Sequence, residues 1–416
     1  MRNKHRGRPL LSRLPALLAA CLMTIGGAAA GLSAIGALPG EPTVTAAAPK
    51  KAVLAEGTAA AAPSVSAKSA ILIHADSGQI LLEKNAYDRL PMASTTKIMT
   101  ALLLAERGNL EETLVTTREM VTVEGSSMGL RAGDTVSYHD LLYGMLLASG
   151  NDAANTTAIA LGGSLQGFAD LMNQKAASLG LTSTHFVTPS GLDDPEHYTT
   201  AYDLARLAAY AMENEDFKNA ASSKTATLCY GNPPYKRTLS NHNKLLSRCE
   251  GVIGVKTGFT KKSGRCLVSC AEREGGRLIA VTLNAPDDWN DHEAMYDYGF
   301  SLLETVELDT SLPTDSLPVV GGDADRVSLQ VFPQSLCLLK GEAQKIQRQI
   351  YLPEFLYTPV EAGQVVGRIE YTLDGEKLAE AQIRAAGQVS PLPVDPAHQR
   401  EEVLYWFRRL IGWSIF

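Results

Sequence analysis

The chain has 416 residues, of which 45% are hydrophobic and 20% charged, a composition typical of a globular protein with a sizeable core. Its length allows two or three domains of ordinary size. The first 30 residues hold five of the 38 basic residues and no acid, so the rest of the chain has 33 basic and 45 acidic residues, or a net charge of -12. A body this acidic argues against nucleic acid as a partner.

The N-terminus has the pattern of an export signal. Basic residues up to Arg13 are followed by an apolar run that ends in small residues near position 30. We therefore predict a signal peptide over residues 1–30. Because the apolar run is long, an uncleaved N-terminal anchor is the alternative. Residues 31–66 are rich in Ala, Pro, Gly and Ser, which predicts a flexible linker.

Residues 67–305 are predicted to form an α+β domain, because strand patterns lie at both ends of this region and helical patterns between them. The helix over residues 94–107 is apolar on all sides, which indicates that it is buried. The expected arrangement is a sheet covered by helices. The predicted elements are strands at residues 69–73, 80–82, 252–256, 266–269 and 278–281 and helices at 94–107, 139–147 and 204–212, with a further helix from Asp152.

The C-terminal part of the chain contains two further segments. Pro313 and Pro318 suggest a boundary, after which a domain is expected over residues 310–395. Residues from about 325 to 390 alternate apolar and polar side chains, with a hairpin turn at Asp374 and Gly375. This pattern predicts a small all-β, sandwich-like domain. Residues 398–416 place most of their apolar side chains on one helical face and are too short and too charged to span a bilayer. We expect an amphipathic helix that lies on a membrane surface, the alternative being a helix packed on its own domain.

Cysteine and histidine spacing gives no sign of a metal site. The six cysteines are too few for a disulfide scaffold, and no CxxC or Cys/His pattern occurs. A disulfide between two of them is an open alternative in an exported protein. The eight histidines show no paired ligand spacing. We therefore expect neither a metal nor another cofactor.

The segment Ser94-Thr95-Thr96-Lys97 opens the buried helix. Two residues three positions apart share a helical face, so Ser94 and Lys97 are predicted to lie side by side. A serine hydroxyl is a poor nucleophile unless a base takes its proton, and a lysine becomes a base when desolvation and nearby positive charge lower its pKa. The apolar helix would supply the desolvation. Alone, the motif is weak evidence, because a capping serine followed by a lysine is common.

Two further motifs follow in the chain. Ser149-Gly150-Asn151 is predicted to form a tight turn between helices, where its polar side chains can enter a cleft. Lys256-Thr257-Gly258 ends a strand, and Gly258 would let another segment approach that strand closely. Alternation along the strand predicts that Lys256 and Gly258 point one way and Thr257 the other.

Together, the three motifs in this order form the signature of penicillin-recognising serine enzymes. The chain resembles the serine D-alanyl-D-alanine carboxypeptidases, peptidase family S11, among the low-molecular-weight penicillin-binding proteins. The resemblance covers about residues 67–395 and implies a β-lactamase/transpeptidase-like domain, with an antiparallel sheet covered by helices, before the small β domain. It also rests on the segments 89–93, 191–192, 197–201, 241–246 and 283–287.

The resemblance implies a role for each motif residue. Ser94 would be the nucleophile, Lys97 its general base, and Ser149 the proton relay to the leaving D-alanine. The substrate would be held by Asn151, Lys256, Thr257 and Gly258. The N–H groups of Ser94 and Phe259 would form the oxyanion hole.

The resemblance further implies partners and a location. The substrate would be the stem pentapeptide of peptidoglycan, β-lactam antibiotics would be inhibitors, and the enzyme would act in the cell envelope, at the outer face of the cytoplasmic membrane. Two alternatives are a β-lactamase and a catalytically silent penicillin-binding scaffold. Against a β-lactamase, neither Glu196 nor Glu213 lies in the sequence context of a deacylating glutamate. The intact motif residues argue against a silent scaffold.

Overall fold

The structure, a computed structural model, describes residues 49–52 and 61–393. The predicted signal peptide, most of the predicted linker and the predicted terminal helix lie outside these residues. In the part of the chain that is described, no helix is both long and apolar enough to cross a membrane.

In chain order, the elements up to residue 301 are β1 (Ser69–His74), β2 (Ile80–Lys84), a 3-10 turn (Ala93–Thr96), α1 (Lys97–Arg107), β3 (Thr113–Val115), α2 (Arg118–Val121), β4 (Thr135–Ser137), α3 (Tyr138–Leu146), α4 (Asn151–Gly162), α5 (Leu165–Ser178), α6 (Ala201–Ala211), α7 (Glu215–Ser222), β5 (Thr225–Gly231), β6 (Pro234–Ser240), α8 (Leu245–Arg248), β7 (Val252–Thr260), β8 (Gly264–Arg273), β9 (Gly276–Leu283) and α9 (Asp288–Ser301).

The central sheet is antiparallel, with the strand order β2-β1-β9-β8-β7. Successive side chains of a strand point to opposite faces, and in β1 both faces are buried. Ile71 and Ile73 pack in one core with side chains of α1, α3 and α6, whereas Ala70 and Leu72 pack in a second core with side chains of α9. The predicted α+β fold, an antiparallel sheet covered by helices, is therefore confirmed.

Helix α1 runs through the first core. All of its apolar side chains except the partly buried Leu103 are buried, including those of Ile98, Leu102 and Leu104, as expected for a helix without a polar face. Gly108, with φ 69°, follows its last residue and ends it. The helix begins later than predicted: the first turn, Ala93–Thr96, is 3-10 rather than α. In a 3-10 turn, side chains at positions i and i+3 eclipse one another, which favours a contact between Ser94 and Lys97.

The rest of the described chain is β-rich, as predicted. The hairpin turn at Asp374 and Gly375 joins its two longest strands, and a six-stranded sheet has the order β14-β16-β17-β12-β11-β15. Pro318 was expected near a boundary but lies inside a strand, β11, opposite Arg326. The elements are β10 (Leu303–Glu307), β11 (Ser316–Val320), β12 (Arg326–Val331), β13 (Ser335–Leu339), a 3-10 turn (Ala343–Lys345), β14 (Gln347–Tyr351), β15 (Leu356–Tyr357), β16 (Val365–Leu373) and β17 (Glu376–Ala385).

The β-rich part packs directly on the helical part, since Leu303 and Leu339 lie in the second core with side chains of α9. β10 follows α9 almost directly and pairs with β13 over five residue pairs, from Leu303 with Leu339 to Glu307 with Ser335. The Gln79 side chain also donates to the Glu342 carboxylate at 2.7 Å. The predicted end of the first domain, residue 305, lies inside β10. The predicted start of the second domain, residue 310, lies just after β10.

The cysteines in the described residues are free thiols. Cys266 and Cys270 are buried in β8, where they behave as small apolar side chains. Burial raises the pKa of the Cys266 thiol to about 11 and that of Cys270 to about 12, so both stay protonated. The disulfide that the sequence left open is therefore not formed by any of the five cysteines described, Cys229, Cys249, Cys266, Cys270 and Cys337.

Candidate active site

Ser94 lies in the 3-10 turn that leads directly into α1. The turn begins with Ala93 in the left-handed region (φ 47°), a costly conformation for a residue that has a Cβ. The Thr96 hydroxyl donates to the Ala93 carbonyl at 2.8 Å. Gly191 packs so closely on the same carbonyl that a Cβ at residue 191 would lie 1.9 Å from its oxygen. These contacts fix the turn and leave the Ser94 side chain partly exposed.

Lys97 lies one turn after Ser94, and its side chain is completely buried. Its Nζ is 3.0 Å from the Ser94 Oγ, 2.7 Å from the Asn151 Oδ1 and 2.8 Å from the carbonyl oxygen of Ser190. Each contact is within hydrogen-bonding distance, and together they fully engage the terminal nitrogen.

The electrostatic environment favours the neutral form of this amine. Burial lowers the pKa of Lys97 well below its ordinary value, the charge of Lys256 lowers it further, and Asp152 partly opposes the shift. A neutral amine has two N–H groups and one lone pair. If the N–H groups donate to the Asn151 and Ser190 oxygens, the lone pair faces the Ser94 hydroxyl. This arrangement can accept the hydroxyl proton.

The turn between α3 and α4 carries Ser149 and Gly150 and leads into Asn151, the first residue of α4. Ser149 has φ 56° and is only 4% exposed. The Asn151 side chain is engaged by protein groups: its Oδ1 accepts from Lys97, and its Nδ2 donates to the carbonyl of Glu124 at 2.5 Å. Asn151 therefore contacts Lys97 directly, a contact that the resemblance did not imply.

The third motif lies in β7, at one edge of the central sheet. Lys256 is 1% exposed, its Nζ donates to the carbonyl of Thr257 at 2.9 Å, and burial lowers its pKa to about 7. Gly258 brings the strand against the turn that carries Ser94, since a Cβ at residue 258 would lie 3.0 Å from the Ser94 nitrogen. The backbone of Ser94 thus lies beside that of β7, the juxtaposition that an oxyanion hole built from both segments needs.

Five of the eight predicted site residues line one cavity of about 360 Å³, which we call the Ser94 cleft: Ser94, Ser149, Thr257, Gly258 and Phe259. The other three, Lys97, Asn151 and Lys256, are buried. Strand alternation predicted that Thr257 and Gly258 lie on opposite faces of β7. Both nevertheless line the cleft, because Gly258 has no side chain and exposes its backbone to it.

Sequence reasoning missed several side chains of the cleft. His242 and Lys244 belong to a segment that carried the family resemblance, but no role was drawn from it. Arg265 and Asp288 form an ion pair of 2.7 Å, and nothing in the spacing of two residues so far apart marks it. The additional lining residues are Ser126, His242, Lys244, Arg265, Asp288 and Trp289.

Two further features of the described residues bear on where this chemistry can take place. A cavity of about 500 Å³ near Arg206 and Arg277 contains none of the motif residues. Across residues 49–52 and 61–393, no cluster of three or more His, Cys, Asp or Glu side chains is arranged to hold a metal ion.

Comparison with known proteins agrees with this geometry. Residues 56–287 match the D-alanyl-D-alanine carboxypeptidase family, and residues 300–391 match the C-terminal domain of penicillin-binding protein 5. The chain belongs to the D-alanyl-D-alanine carboxypeptidase family. The predicted resemblance to family S11 is thereby confirmed.

Named members of this carboxypeptidase family match most of the chain. It is 34% identical to D-alanyl-D-alanine carboxypeptidase DacF of Bacillus subtilis, over 77% of this chain and 85% of that protein. It is 36% identical to DacC of Escherichia coli, over 77% of this chain and 83% of that protein. Both relatives are matched well beyond the catalytic motifs.

Solved structures of the family show the same fold. Penicillin-binding protein 5 of Haemophilus influenzae is 29% identical, with a TM-score of 0.57 over 79% of this chain and 98% of that one. The Streptomyces K15 DD-transpeptidase is 32% identical, with a TM-score of 0.56 over 58% of this chain and 100% of that one. The first of these alignments extends into the β-rich part, whereas the second covers a smaller share of the chain.

Proposed function

We propose that this protein is a serine carboxypeptidase that removes the terminal D-alanine from peptidoglycan stem pentapeptides through an acyl-enzyme on Ser94. The observation that carries the proposal is the contact between the Lys97 Nζ and the Ser94 Oγ, 3.0 Å apart at the edge of a buried core. Burial and the charge of Lys256 lower the pKa of Lys97, so the amine can act as a base.

Acylation begins when Lys97 takes the hydroxyl proton of Ser94 and the Ser94 Oγ attacks the carbonyl carbon of the penultimate D-alanine. The oxyanion that forms accepts hydrogen bonds from the N–H groups of Ser94 and Phe259. The peptide C–N bond then breaks, and the amine of the leaving D-alanine receives a proton by way of Ser149. Thr257 binds the terminal carboxylate, and the positive charge of Lys256 attracts it.

Deacylation uses the same groups in reverse. A water molecule loses a proton to Lys97 and attacks the ester carbonyl, and the Ser94 oxygen leaves as a hydroxyl after taking a proton back. A β-lactam presents its strained amide to Ser94 and acylates it in the same manner. Its ring-opened acyl group stays on Ser94 because it hydrolyses slowly.

The substrate places the enzyme in the cell envelope, outside the cytoplasm. The proposal includes export by the N-terminal signal over residues 1–30 and attachment to the outer face of the cytoplasmic membrane by residues 398–416. Their sequence patterns support both steps.

Purified protein, incubated with a stem pentapeptide and separately with labelled penicillin, tests the proposal. We expect release of free D-alanine and a stable penicillin adduct on Ser94, located by mass spectrometry. Ser94→Ala should abolish both while leaving the melting temperature nearly unchanged. Rapid turnover of penicillin would indicate a β-lactamase, no labelling a silent scaffold, and an adduct on another residue would refute the assignment of Ser94.

A further inference from the structure

Asp152 is a completely buried carboxylate in the first turn of α4, immediately after Asn151. It accepts hydrogen bonds from the Ser127 hydroxyl at 2.6 Å and from the backbone N–H groups of Met128, Gly129 and Leu130 at 2.9, 3.0 and 2.9 Å. All four donors are neutral and belong to one short segment. A carboxylate held in this way stabilises the conformation of that segment strongly.

The segment, which we call the 124–130 loop, is also fixed by other contacts. The backbone N–H of Asn151 donates to the carbonyl of Ser126 at 2.8 Å. From the β5–β6 hairpin, the Tyr230 hydroxyl donates to the Met128 carbonyl at 2.6 Å, and Arg237 donates to the Gly129 carbonyl at 2.6 Å. The loop is thus held from two sides, and its exposed Ser126 lines the Ser94 cleft.

Gly150 completes this arrangement. A Cβ at residue 150 would lie 2.7 Å from the Asp152 Oδ1 and 3.1 Å from the Met128 nitrogen. Distances this short leave no room for a side chain, so the glycine between Ser149 and Asn151 follows from the packing of Asp152 against the loop.

We propose that Asp152 is a positioning residue: it holds the 124–130 loop as a rigid wall of the Ser94 cleft, with Ser126 facing the bound peptide, and it fixes Asn151 against Lys97. This inference rests on the proposed function. It differs from an ordinary acid at a helix N-terminus, which would stabilise α4 without affecting the reaction.

The charge of Asp152 adds a second effect. Its negative charge raises the pKa of Lys97, in opposition to burial and to Lys256. Removal of this charge should lower the pKa of Lys97 further. The acid limb of the pH–rate profile for acylation should then move to lower pH, an effect that a loss of helix stability alone cannot produce.

Asp152→Asn is the decisive variant, because it keeps the size of the side chain but turns an N–H group toward the backbone donors of the loop. We expect the second-order rate of penicillin acylation to fall about tenfold or more, KM for the pentapeptide to rise, and the acid limb to shift to lower pH. Asp203→Asn is the matched control: Asp203 is also buried, lies in the first turn of α6 and accepts from Ser183 and Thr184. It should lower stability with little change in these rates.

Tyr230→Phe provides a second test if Asp152→Asn does not fold. It removes the 2.6 Å hydrogen bond from Tyr230 to the Met128 carbonyl and leaves that oxygen only a 3.4 Å contact with Arg237. This change should raise KM without moving the acid limb. The inference would be overturned if Asp152→Asn is acylated by penicillin at a rate within twofold of wild type. If that variant does not fold, an unchanged KM in Tyr230→Phe would overturn it. Inactive wild-type protein would instead refute the proposed function.

Discussion

Thr96 and His197 form a buried hydrogen bond of 2.7 Å between the threonine Oγ1 and the histidine Nε2. The opposite ring nitrogen of His197, Nδ1, accepts from the backbone N–H of Val187 at 2.9 Å. Nδ1 is therefore unprotonated, and Nε2 carries the proton that it donates to Thr96. Because the Thr96 hydroxyl in turn donates to Ala93, a neutral imidazole supports the turn that carries Ser94.

This bond predicts a loss of stability in acid. Burial lowers the pKa of His197 from 6.5 to about 4, so between these values the unfolded chain binds a proton that the folded protein does not. The free energy of unfolding should rise with pH through this window and fall as the pH is lowered from 6.5 to 4, by on the order of 2–3 kcal/mol. Urea titrations at several pH values measure it. In His197→Asn the dependence should be weaker, and an unchanged slope would contradict the assignment.

Removal of the Lys256 charge should shift the pH dependence of acylation. The charge of Lys256 lowers the pKa of Lys97, so Lys256→Met should raise that pKa and move the acid limb of penicillin acylation to higher pH. This shift is opposite in sign to the one expected for Asp152→Asn. Lys244→Met, which removes another lysine of the Ser94 cleft, is the control and should leave the limb in place. A shift to lower pH in Lys256→Met would argue against Lys97 as the base.

Gly191 should tolerate no side chain. Gly191→Ala would place a Cβ 1.9 Å from the Ala93 carbonyl oxygen, at a φ of +84°. We expect a loss of several kcal/mol in the free energy of unfolding, since overpacking adds to about 1–2 kcal/mol of left-handed backbone strain. Gly78→Ala separates the two causes, because Gly78 has a φ of +68° but nothing within 4 Å of its Cβ position. Equal losses in the two variants, measured by denaturant titration, would show that the close contact is unimportant.

Truncation before His398 tests the proposed membrane attachment. If residues 398–416 form the amphipathic helix expected from the sequence, Leu404, Phe407 and Leu410 share one face, each worth on the order of 1.5–3 kcal/mol on full burial in lipid. Because binding would rest on apolar area, it should survive moderate salt. The truncated protein should be active and appear in the soluble fraction after signal cleavage. A truncated protein that unfolds would indicate a helix packed on its own domain.

Local spacing correctly predicted one contact in the candidate site, that between Ser94 and Lys97. The positions of Ser94 and Lys97 placed their side chains together, because three residues span about one turn of either helix type. The other two partners of Lys97, Asn151 and Ser190, follow 54 and 93 residues later in the chain. These contacts depend on how α4 and the segment around Ser190 pack against α1, and no local pattern records that packing.

The wall of the Ser94 cleft shows the same limit. Ser126 lies in an exposed loop without helical or strand periodicity, so no sequence pattern distinguishes it from its neighbours. In the sequence, Asp152 is indistinguishable from an ordinary acid at the start of a helix. Its four hydrogen bonds with the 124–130 loop form only when that loop is folded back on it. For the fold, periodicity sufficed: the apolar runs of the central sheet and α1 are long and unambiguous.

The β-rich part is packed onto the helical part instead of hanging from a loose tether, because Leu303 of β10 and Leu339 of β13 lie in the second core with side chains of α9. The Lys340 side chain adds a bond of 2.7 Å to the carbonyl of Ser301, at the end of α9. The separation between Ser94 and Leu392, near the last described residue, is therefore set by the fold. If residues 398–416 lie on a lipid surface, the β-rich part acts as a spacer of constant height. The enzyme would then trim stem peptides only within a thin shell of the wall at that height.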